Sequence, residues 1–572
     1  MPGKVYLETF GCQMNELDSE LVTGQLRALG YRFTPDAAGA DIVLYNTCSV
    51  REHAEQKVWS RLGELALRKR EQPGLVVGVL GCMAEREGPA LMKRMPVVDV
   101  MVGPAELDKL PALLDNAART KASLHADEPA LQSAQQLALQ GSASRRSSTL
   151  AAAADQLELL DLSRAVSPDD HAGSAYVRIT RGCNKFCTYC VVPHTRGAEV
   201  HRPPQHIIDE CKRLADAGVV EVTLLGQTVN HYRFEHGAQV SLGGVVQPQK
   251  GRVYKKTDDH TDAYAGASVT TFADLLRQIH EQVPGILRLR FVTSYPRSFG
   301  NDVLQVIKDS PRICRYLHVP AQTGSDRLLG LMNRGYTIGE YDEFLARARD
   351  FLHEPHIGRP LTLAGDIIVG FPTETEEDHQ ATRALLLRAQ YKNCFIFKYS
   401  SRPGTVAHDK LPDDVPDEVK RRRNNELLAL QNDISARVSA QYEGATVRAF
   451  VQGVSRRDQK KAQRAGAHGH AHKQAGAVAL TISARRELPM GASGAEEHEA
   501  NACSVHASHV QPPDDDALTS PGTVQLSART DGDLIVFFDV PGHQAPSLIG
   551  RVVPVRIERT TTLALHGSLL PG

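Results

Sequence analysis

Three cysteines, Cys183, Cys187 and Cys190, stand in a C-x3-C-x2-C spacing inside Arg181-Gly-Cys-Asn-Lys-Phe-Cys-Thr-Tyr-Cys-Val-Val-Pro193. Thiolates this close along a chain can converge on one soft metal centre. Iron–sulfur clusters usually take four cysteine ligands, so three leave one iron with an open position that chemistry can use. A zinc site, or three unrelated core cysteines, is the plainer reading. Zinc sites favour C-x2-C or C-x4-C pairs with a second pair elsewhere, and the sequence has no such second pair.

A second set of three is spread through the first third of the chain. Cys12, Cys48 and Cys82 each follow a short apolar run rich in β-formers: Val5–Phe10, Asp41–Tyr45 and Gly74–Leu80. Gly stands directly before Cys12 and before Cys82. Helical patterns separate the runs, at Ser19–Leu29, Val50–Leu67 and Glu85–Lys93. Strands alternating with helices predict an open parallel α/β sheet. In such sheets the loops after the strands' carboxyl ends share one edge, where ligands bind. The three cysteines are thus expected on one edge as a second three-thiolate site. The alternative is that each is a small buried hydrophobe.

The elements that must position the first set follow the same logic. Candidate strands at Ala175–Thr180, Val219–Leu225, Ile286–Thr293, Cys314–Val319, Leu363–Val369 and Asn393–Tyr399 alternate with candidate helices. The helices are Pro204–Ala217, Phe272–Glu281, Asp302–Lys308, Asp326–Met332, Ile338–Phe351 and Glu376–Arg388. Six such units predict a partial (β/α)6 TIM-type barrel, with its active face on the loops at the strands' C-terminal ends. The Cys183 loop follows the first strand and falls on that face. Cys211, Cys314 and Cys394 occupy core-like positions and read as structural. Segments Gly226–Asn230, Pro320–Ser325 and Asp366–Glu374 also end strands, where plain turns compete with ligand contacts.

The Cys183-x3-Cys187-x2-Cys190 spacing, with Tyr189 before the third cysteine, resembles the radical S-adenosylmethionine (SAM) enzymes. The resemblance implies a 4Fe-4S cluster on these three cysteines. SAM would chelate its fourth iron and be cleaved reductively to a 5′-deoxyadenosyl radical. The wording Gly11-Cys-Gln-Met-Asn, Asn46-Thr-Cys-Ser-Val-Arg and Gly81-Cys-Met-Ala is similar to the N-terminal domain of methylthiotransferases. That likeness implies a second 4Fe-4S cluster on Cys12, Cys48 and Cys82, taking part in sulfur insertion. Cys-Gln-Met-Asn resembles the branch that acts on isopentenylated adenosine in tRNA. Thr195-Arg-Gly197 and the three strand-end segments resemble SAM-pocket segments of the family.

Beyond the barrel, Pro416–Tyr442 has apolar residues at helical spacing and a basic start, Lys420-Arg-Arg-Arg423. That start reads either as a solvated face or as a phosphate contact. Short strands with Gly turns then predict a small closed β-barrel. It resembles the RNA-binding domain, called TRAM, that ends methylthiotransferases, with Arg529, Arg551, Arg556 and Arg559 supplying positive charge. The expected organisation is an N-terminal domain at 1–117, a partly disordered linker at 118–172 and the radical SAM domain at 173–412. A connecting helix at 413–445 and the TRAM-like barrel at 446–572 complete it. Within the linker, Gln132–Leu139 is expected as a short helix. Stretches 233–268 and 455–521 read as insertions, the first a hairpin or lid, the second disordered. The second carries the His-rich tract Ala467–Lys473, where a metal site is the rarer reading.

A chain of 572 residues exceeds one core. Its net charge of −1 leaves nucleic-acid binding to local basic patches. With no membrane-length apolar run and no leader pattern, a cytoplasmic monomer with reduced thiols is expected. The resemblance implies a transferase: a bifunctional radical SAM tRNA methylthiotransferase acting on N(6)-isopentenyladenosine at position 37, beside the anticodon. Two SAM would be used per turnover, with a reductant such as flavodoxin or ferredoxin and the anticodon stem-loop as partners. The alternatives are the same chemistry on threonylcarbamoyladenosine tRNA or on a ribosomal-protein aspartate. A non-catalytic iron–sulfur RNA-binding or electron-transfer protein is the alternative of another class.

Overall fold

The computed structural model describes residues 3–49, 52–124, 135–139, 155–166, 173–251, 268–354, 360–466 and 522–571. They fall into two units, one within Met1–Leu139 and one within Gln140–Gly476 with Gln511–Gly572. The His-rich tract at 467–473 lies outside the described residues.

In the first unit, the valine- and leucine-rich strands Ile42–Thr47 and Val76–Gly81 are buried along their whole length. Such continuous burial belongs to parallel strands covered on both faces. Lys4–Phe10 and Ile42–Thr47 pair in parallel, as do Ile42–Thr47 and Val76–Gly81, and the sheet continues through Val100–Val102. The sixth strand is Gln136–Ala138, which pairs with Val100–Val102. This corrects the helix expected over Gln132–Leu139. An open sheet edge offers unpaired backbone groups, and pairing there outweighs the helical propensity of Gln, Leu and Ala.

The second unit holds six parallel strands in two runs. Ser174–Arg178, Glu221–Leu225 and Arg288–Phe291 form one. Tyr316–His318, Thr362–Val369 and Asn393–Lys398 form the other. A parallel bridge from Leu289 to Ile313 joins them, and the helices pack outside around one apolar core. This is the expected partial barrel.

Two segments expected to lie outside that fold are built into it. Helix Gln156–Leu162, capped by Asp155, comes from the expected linker. Its buried Glu158 accepts from Arg202 at 2.9 Å, and Asp161 from Arg178 at 2.7 Å. Asp155 accepts from Arg181 at 2.8 and 2.5 Å. From the stretch at 233–268, Arg233–Glu235 pairs antiparallel with Val269–Thr271, Ser241–Leu242 with Val245–Val246, and Gln249–Lys250 with Val200–His201. Its Gln247 also accepts from the Asp155 N–H at 2.8 Å.

The C-terminal strands close a five-stranded barrel: Thr446–Val454, Thr523–Thr530, Ile535–Pro541, Ala564–Leu569 and Val552–Thr560. It packs against the starting ends of the six parallel strands. Arg288 donates to the Arg529 carbonyl at 2.6 Å, and Arg290 to Asp533 at 2.6 Å. Arg529 donates to Glu221 at 2.6 Å, and Lys392 to the Thr562 carbonyl at 3.0 Å. Arg529 is therefore an internal docking residue, correcting its expected place on an RNA-facing surface. Arg551, Arg556 and Arg559 are exposed.

Helix Asp417–Ala440 joins the two modules. Its basic start is divided: Arg421 and Arg422 are exposed, whereas Lys420 and Arg423 are turned inward. Lys420 is buried and donates to Asp413 at 2.6 Å, and buried Arg423 donates to Glu374 at 2.7 Å. Arg422 spans Glu376 and Glu426 at 2.7 and 2.9 Å. Among the described residues no helix is long and apolar enough to cross a membrane.

Candidate cluster sites

In the first unit, strand register brings the expected cysteines to one edge. Phe10 pairs with Thr47, and Thr47 with Gly81, so three parallel strands end level with one another. Cys12, Cys48 and Cys82 follow within two residues of those ends. Cys48 N–H donates to the Phe10 carbonyl at 2.9 Å, while Cys12 caps helix Gln13–Ala28 and Cys82 opens helix Cys82–Glu87.

An amide network ties the three loops together. The Cys12 thiol donates to Asn15 Oδ1 at 3.3 Å. Asn15 Nδ2 donates to Asn46 Oδ1 at 3.0 Å, and Asn46 Nδ2 to the Asn15 carbonyl at 2.8 Å and Ser19 Oγ at 2.9 Å. Gly81 adopts φ +87°, and a Cβ there would stand 2.3 Å from Asn46 Oδ1. The glycine before Cys82 is thus required both by its backbone and by the network against it.

In the second unit the Cys183 loop leaves the first barrel strand on the expected face. Its entry is tight: Gly182 has φ +65°, a Cβ there would lie 2.1 Å from the Ala198 carbonyl, and Cys183 N–H donates to the Gly197 carbonyl at 3.1 Å. Its far side is tied to the turn after helix Asp326–Leu331. Thr188 N–H donates to the Met332 carbonyl at 3.1 Å, and its hydroxyl to that of Leu331 at 2.9 Å.

The sulfur surroundings are donor-rich. Lys185 N–H points at Cys183 Sγ, 3.5 Å away, and Arg334 donates to Cys187 Sγ at 3.4 Å. Arg334 also donates to the Pro320 carbonyl at 3.0 Å and Tyr336 at 3.1 Å. Burial, with Glu199 and Cys187 nearby, pushes the Cys183 thiol up to about 12. Burial and the two neighbouring thiols raise Cys190. Cys183 and Cys190 each feel the neighbouring sulfurs of the loop, which disfavour their ionised forms. Burial lowers the Lys185 ammonium to about 8.

A single zinc ion holds thiolates at Zn–S distances of ≈2.3 Å, which confines its sulfurs to within ~4.6 Å of one another. Among the described residues only Glu376, His379 and Glu426 offer three ligand atoms within 4.8 Å, so neither cysteine triad is drawn that close. Arg422 already bridges the two glutamates of that group.

Sequence reasoning missed Arg334 and Asn333, which hold the loop from 147 residues away. The Asn-Arg-Gly wording after a helix is a turn signal but says nothing of what the turn supports. The segments resembling SAM-pocket regions have local structural duties. Ser325 bonds Asp378, Gly324 N–H donates to Thr382 at 2.9 Å, and Asn230 exchanges hydrogen bonds with the Tyr295 backbone, both 2.8 Å. Cys211, Cys314 and Cys394 are buried.

Residues 4–103 match the uncharacterized protein family UPF0004, and residues 177–386 match the radical SAM superfamily. A tRNA-2-methylthio-N(6)-dimethylallyladenosine synthase of Rhodopirellula baltica is 40% identical over 460 residues, 80% of this chain and 86% of that protein. A protein of the same name from Phocaeicola vulgatus is 40% identical over 462 residues, 80% of this chain and 87% of its own. Among solved structures, the radical SAM methyltransferase TsrM of Kitasatospora setae, with cobalamin and a [4Fe-4S] cluster bound, superposes with TM-score 0.42 at 14% identity. The match covers 71% of this chain and 77% of that one.

Proposed function

Since this chain belongs to the tRNA-2-methylthio-N(6)-dimethylallyladenosine synthase family and is a radical SAM tRNA methylthiotransferase, we propose that its substrate is N(6)-isopentenyladenosine at tRNA position 37. The product is the 2-methylthio nucleoside, and two SAM are consumed per turnover. Cys183, Cys187 and Cys190 would hold the cluster that binds SAM, and Cys12, Cys48 and Cys82 a second 4Fe-4S cluster.

The observation that carries this reading is the level ending of three parallel strands, Phe10 with Thr47 with Gly81, each followed by a cysteine. A radical SAM barrel alone needs only the Cys183 loop. A second convergent thiol set on a separate sheet fits an enzyme that must also deliver sulfur.

When bound, the two clusters and SAM would supply the radical, sulfur-insertion and methyl-transfer chemistry that a reaction at carbon 2 of the adenine needs. The chain's own groups set the stage. Arg334 and the Lys185 N–H stabilise thiolate charge at Cys187 and Cys183. Gly197 and Met332 fix the two ends of the loop through backbone hydrogen bonds. The Asn15–Asn46 network holds the Cys12 and Cys48 loops level with Gly81. A tRNA anticodon stem-loop as partner is supported by exposed Arg551, Arg556 and Arg559 on the C-terminal barrel.

The test is anaerobic reconstitution with iron and sulfide counting, followed by nucleoside analysis of tRNA treated with SAM and a reductant. Wild type is expected to hold about eight irons, and Cys183→Ala/Cys187→Ala/Cys190→Ala about four. About four in wild type and none in the triple variant would remove the second cluster. Product on threonylcarbamoyladenosine instead would move the substrate. No SAM cleavage at all would favour an iron–sulfur RNA-binding or electron-transfer protein.

A further inference from the structure

Phe186 lies between Cys183 and Cys187, yet the residue is 48% exposed. Its backbone sits at φ +48°, a left-handed conformation that a bulky residue adopts only when its surroundings impose it. They do so through a second left-handed residue. Asn333, at φ +55°, donates its Nδ2 to the Phe186 carbonyl at 3.1 Å. The residues on either side are held as well. The Lys185 ammonium stands 3.9 Å from the Tyr295 ring centre, and Thr188 is hydrogen-bonded twice to the 331–332 turn.

The result is an aromatic face displayed on a rigid, strained support beside the reacting centre. Folding gains little from it. An exposed ring forgoes burial, and the strain would vanish with a glycine in its place. A fixed aromatic face does suit one class of ligand, a planar heteroaromatic base. Stacking of this kind tolerates any base, and a preformed platform loses little entropy on binding. The cations beside it, half-buried Lys185 and buried Arg334, are engaged with Tyr295, Cys187 and Pro320. The contact offered at Phe186 is therefore apolar stacking rather than charge.

We propose that Phe186 is the stacking platform for the target base of the tRNA, holding the purine flat beside the cysteine loop. This rests on the tRNA reading above. Placing the platform between two of the three loop cysteines puts the stacked base within reach of a centre held there. A purine pressed on the ring is restrained against sliding, which a reaction at one ring carbon demands.

The experiment uses the full-length reconstituted protein and an anticodon stem-loop RNA with 2-aminopurine at position 37. Wild type is expected to quench the fluorophore on binding, and Phe186→Trp to do the same. Phe186→Leu should lose most of the quench and bind the RNA ~10-fold to ~100-fold more weakly, in line with the loss of one stacked base. Iron content should match wild type, and KM for SAM should not move. Four results would overturn the proposal. They are no position-specific quench in wild type, equal affinity in Phe186→Leu, a raised KM for SAM with RNA affinity intact (which would assign the ring to the SAM adenine), and loss of iron. Failure of the substrate reading shows separately. Nucleoside analysis of wild type would then give no 2-methylthio-isopentenyladenosine, whatever the quench.

Discussion

Arg334 donates to Cys187 Sγ at 3.4 Å while a second guanidinium nitrogen holds the Pro320 carbonyl at 3.0 Å. One buried side chain thus couples a cluster-loop sulfur to the backbone after the fourth barrel strand. Replacing such an outer partner typically costs ~10-fold to ~100-fold in metal affinity or activity. Arg334→Met is expected to fall in that range for SAM cleavage, with reduced iron retention after desalting. Arg334→Lys should not restore it, because a single ammonium cannot reach Cys187, Pro320 and Tyr336 together.

Gly81→Ala tests the other site. The substitution forces a side chain into φ +87° and against Asn46 Oδ1. Strain of this kind costs about 1–3 kcal/mol before the clash is counted. Urea unfolding of the first unit should shift to lower denaturant, and reconstituted iron should drop toward about four per chain. Retention of about eight irons with unchanged unfolding would show that the network does not hold the cysteine edge.

Glu221 gives the docking of the C-terminal barrel a pH dependence. Burial raises its carboxyl, but Arg529, Arg288 and Arg290 outweigh that and hold it down to about 2, against an ordinary value of 4.5. A depressed carboxyl stabilises the fold fully above about pH 4.5, and that contribution is lost as pH falls toward 2. The difference amounts to roughly 3 kcal/mol. Unfolding midpoints measured from pH 6 down to pH 3 should therefore fall more steeply in wild type than in Glu221→Gln. The variant should already be less stable at pH 7, since it leaves buried arginines uncompensated.

The four arginines first grouped on that barrel should separate into two classes. Arg529→Ala removes a partly buried partner of Glu221, which keeps Arg288 at 3.0 Å, and is expected to destabilise by about 1.5–3 kcal/mol. Arg556→Ala, at an exposed position, should leave stability within about 0.5 kcal/mol. It should instead weaken tRNA binding and reduce the slope of log affinity against log salt by about 1. Filter binding across a salt series distinguishes the two.

Glu158→Ala removes one of the carboxylates facing fully buried Arg202, 2.9 Å away, while Glu210 stays at 2.7 Å. A loss of about 1.5–3 kcal/mol, that of a hydrogen bond to a charged group, is expected, read by thermal or chemical unfolding of the second unit. A variant as stable as wild type would mean that helix Gln156–Leu162 is dispensable to the barrel.

The sequence made the repeating parts legible. Six strand–helix alternations and two cysteine patterns follow from local periodicity and spacing, and the strands fall within a few residues of their expected bounds. What stayed hidden depends on partners distant in sequence. Asp155, Glu158 and Asp161 look like solvated charges of a low-complexity linker until Arg181, Arg202 and Arg178 face them. Lys420 and Arg423 look like a basic surface until Asp413 and Glu374 are placed beside them. Gln136–Ala138 carries no strand signal of its own and becomes one because Val100–Val102 offers an edge. Arg529 could not be told from its exposed neighbours, because nothing local marks which arginine meets Glu221.

The C-terminal barrel grips the strand starts, whereas the Cys183 loop lies past the strand ends. The radical SAM sheet therefore acts as a spacer between gripping and reacting. Strand Thr362–Val369 has eight residues, and at ~3.3 Å per residue it separates the two by ~26 Å. A free nucleoside is far too short to touch both. If the barrel binds the tRNA as proposed, only a polynucleotide of at least that reach can present a base to the loop, and such an enzyme would sort substrates by length before it reads their chemistry.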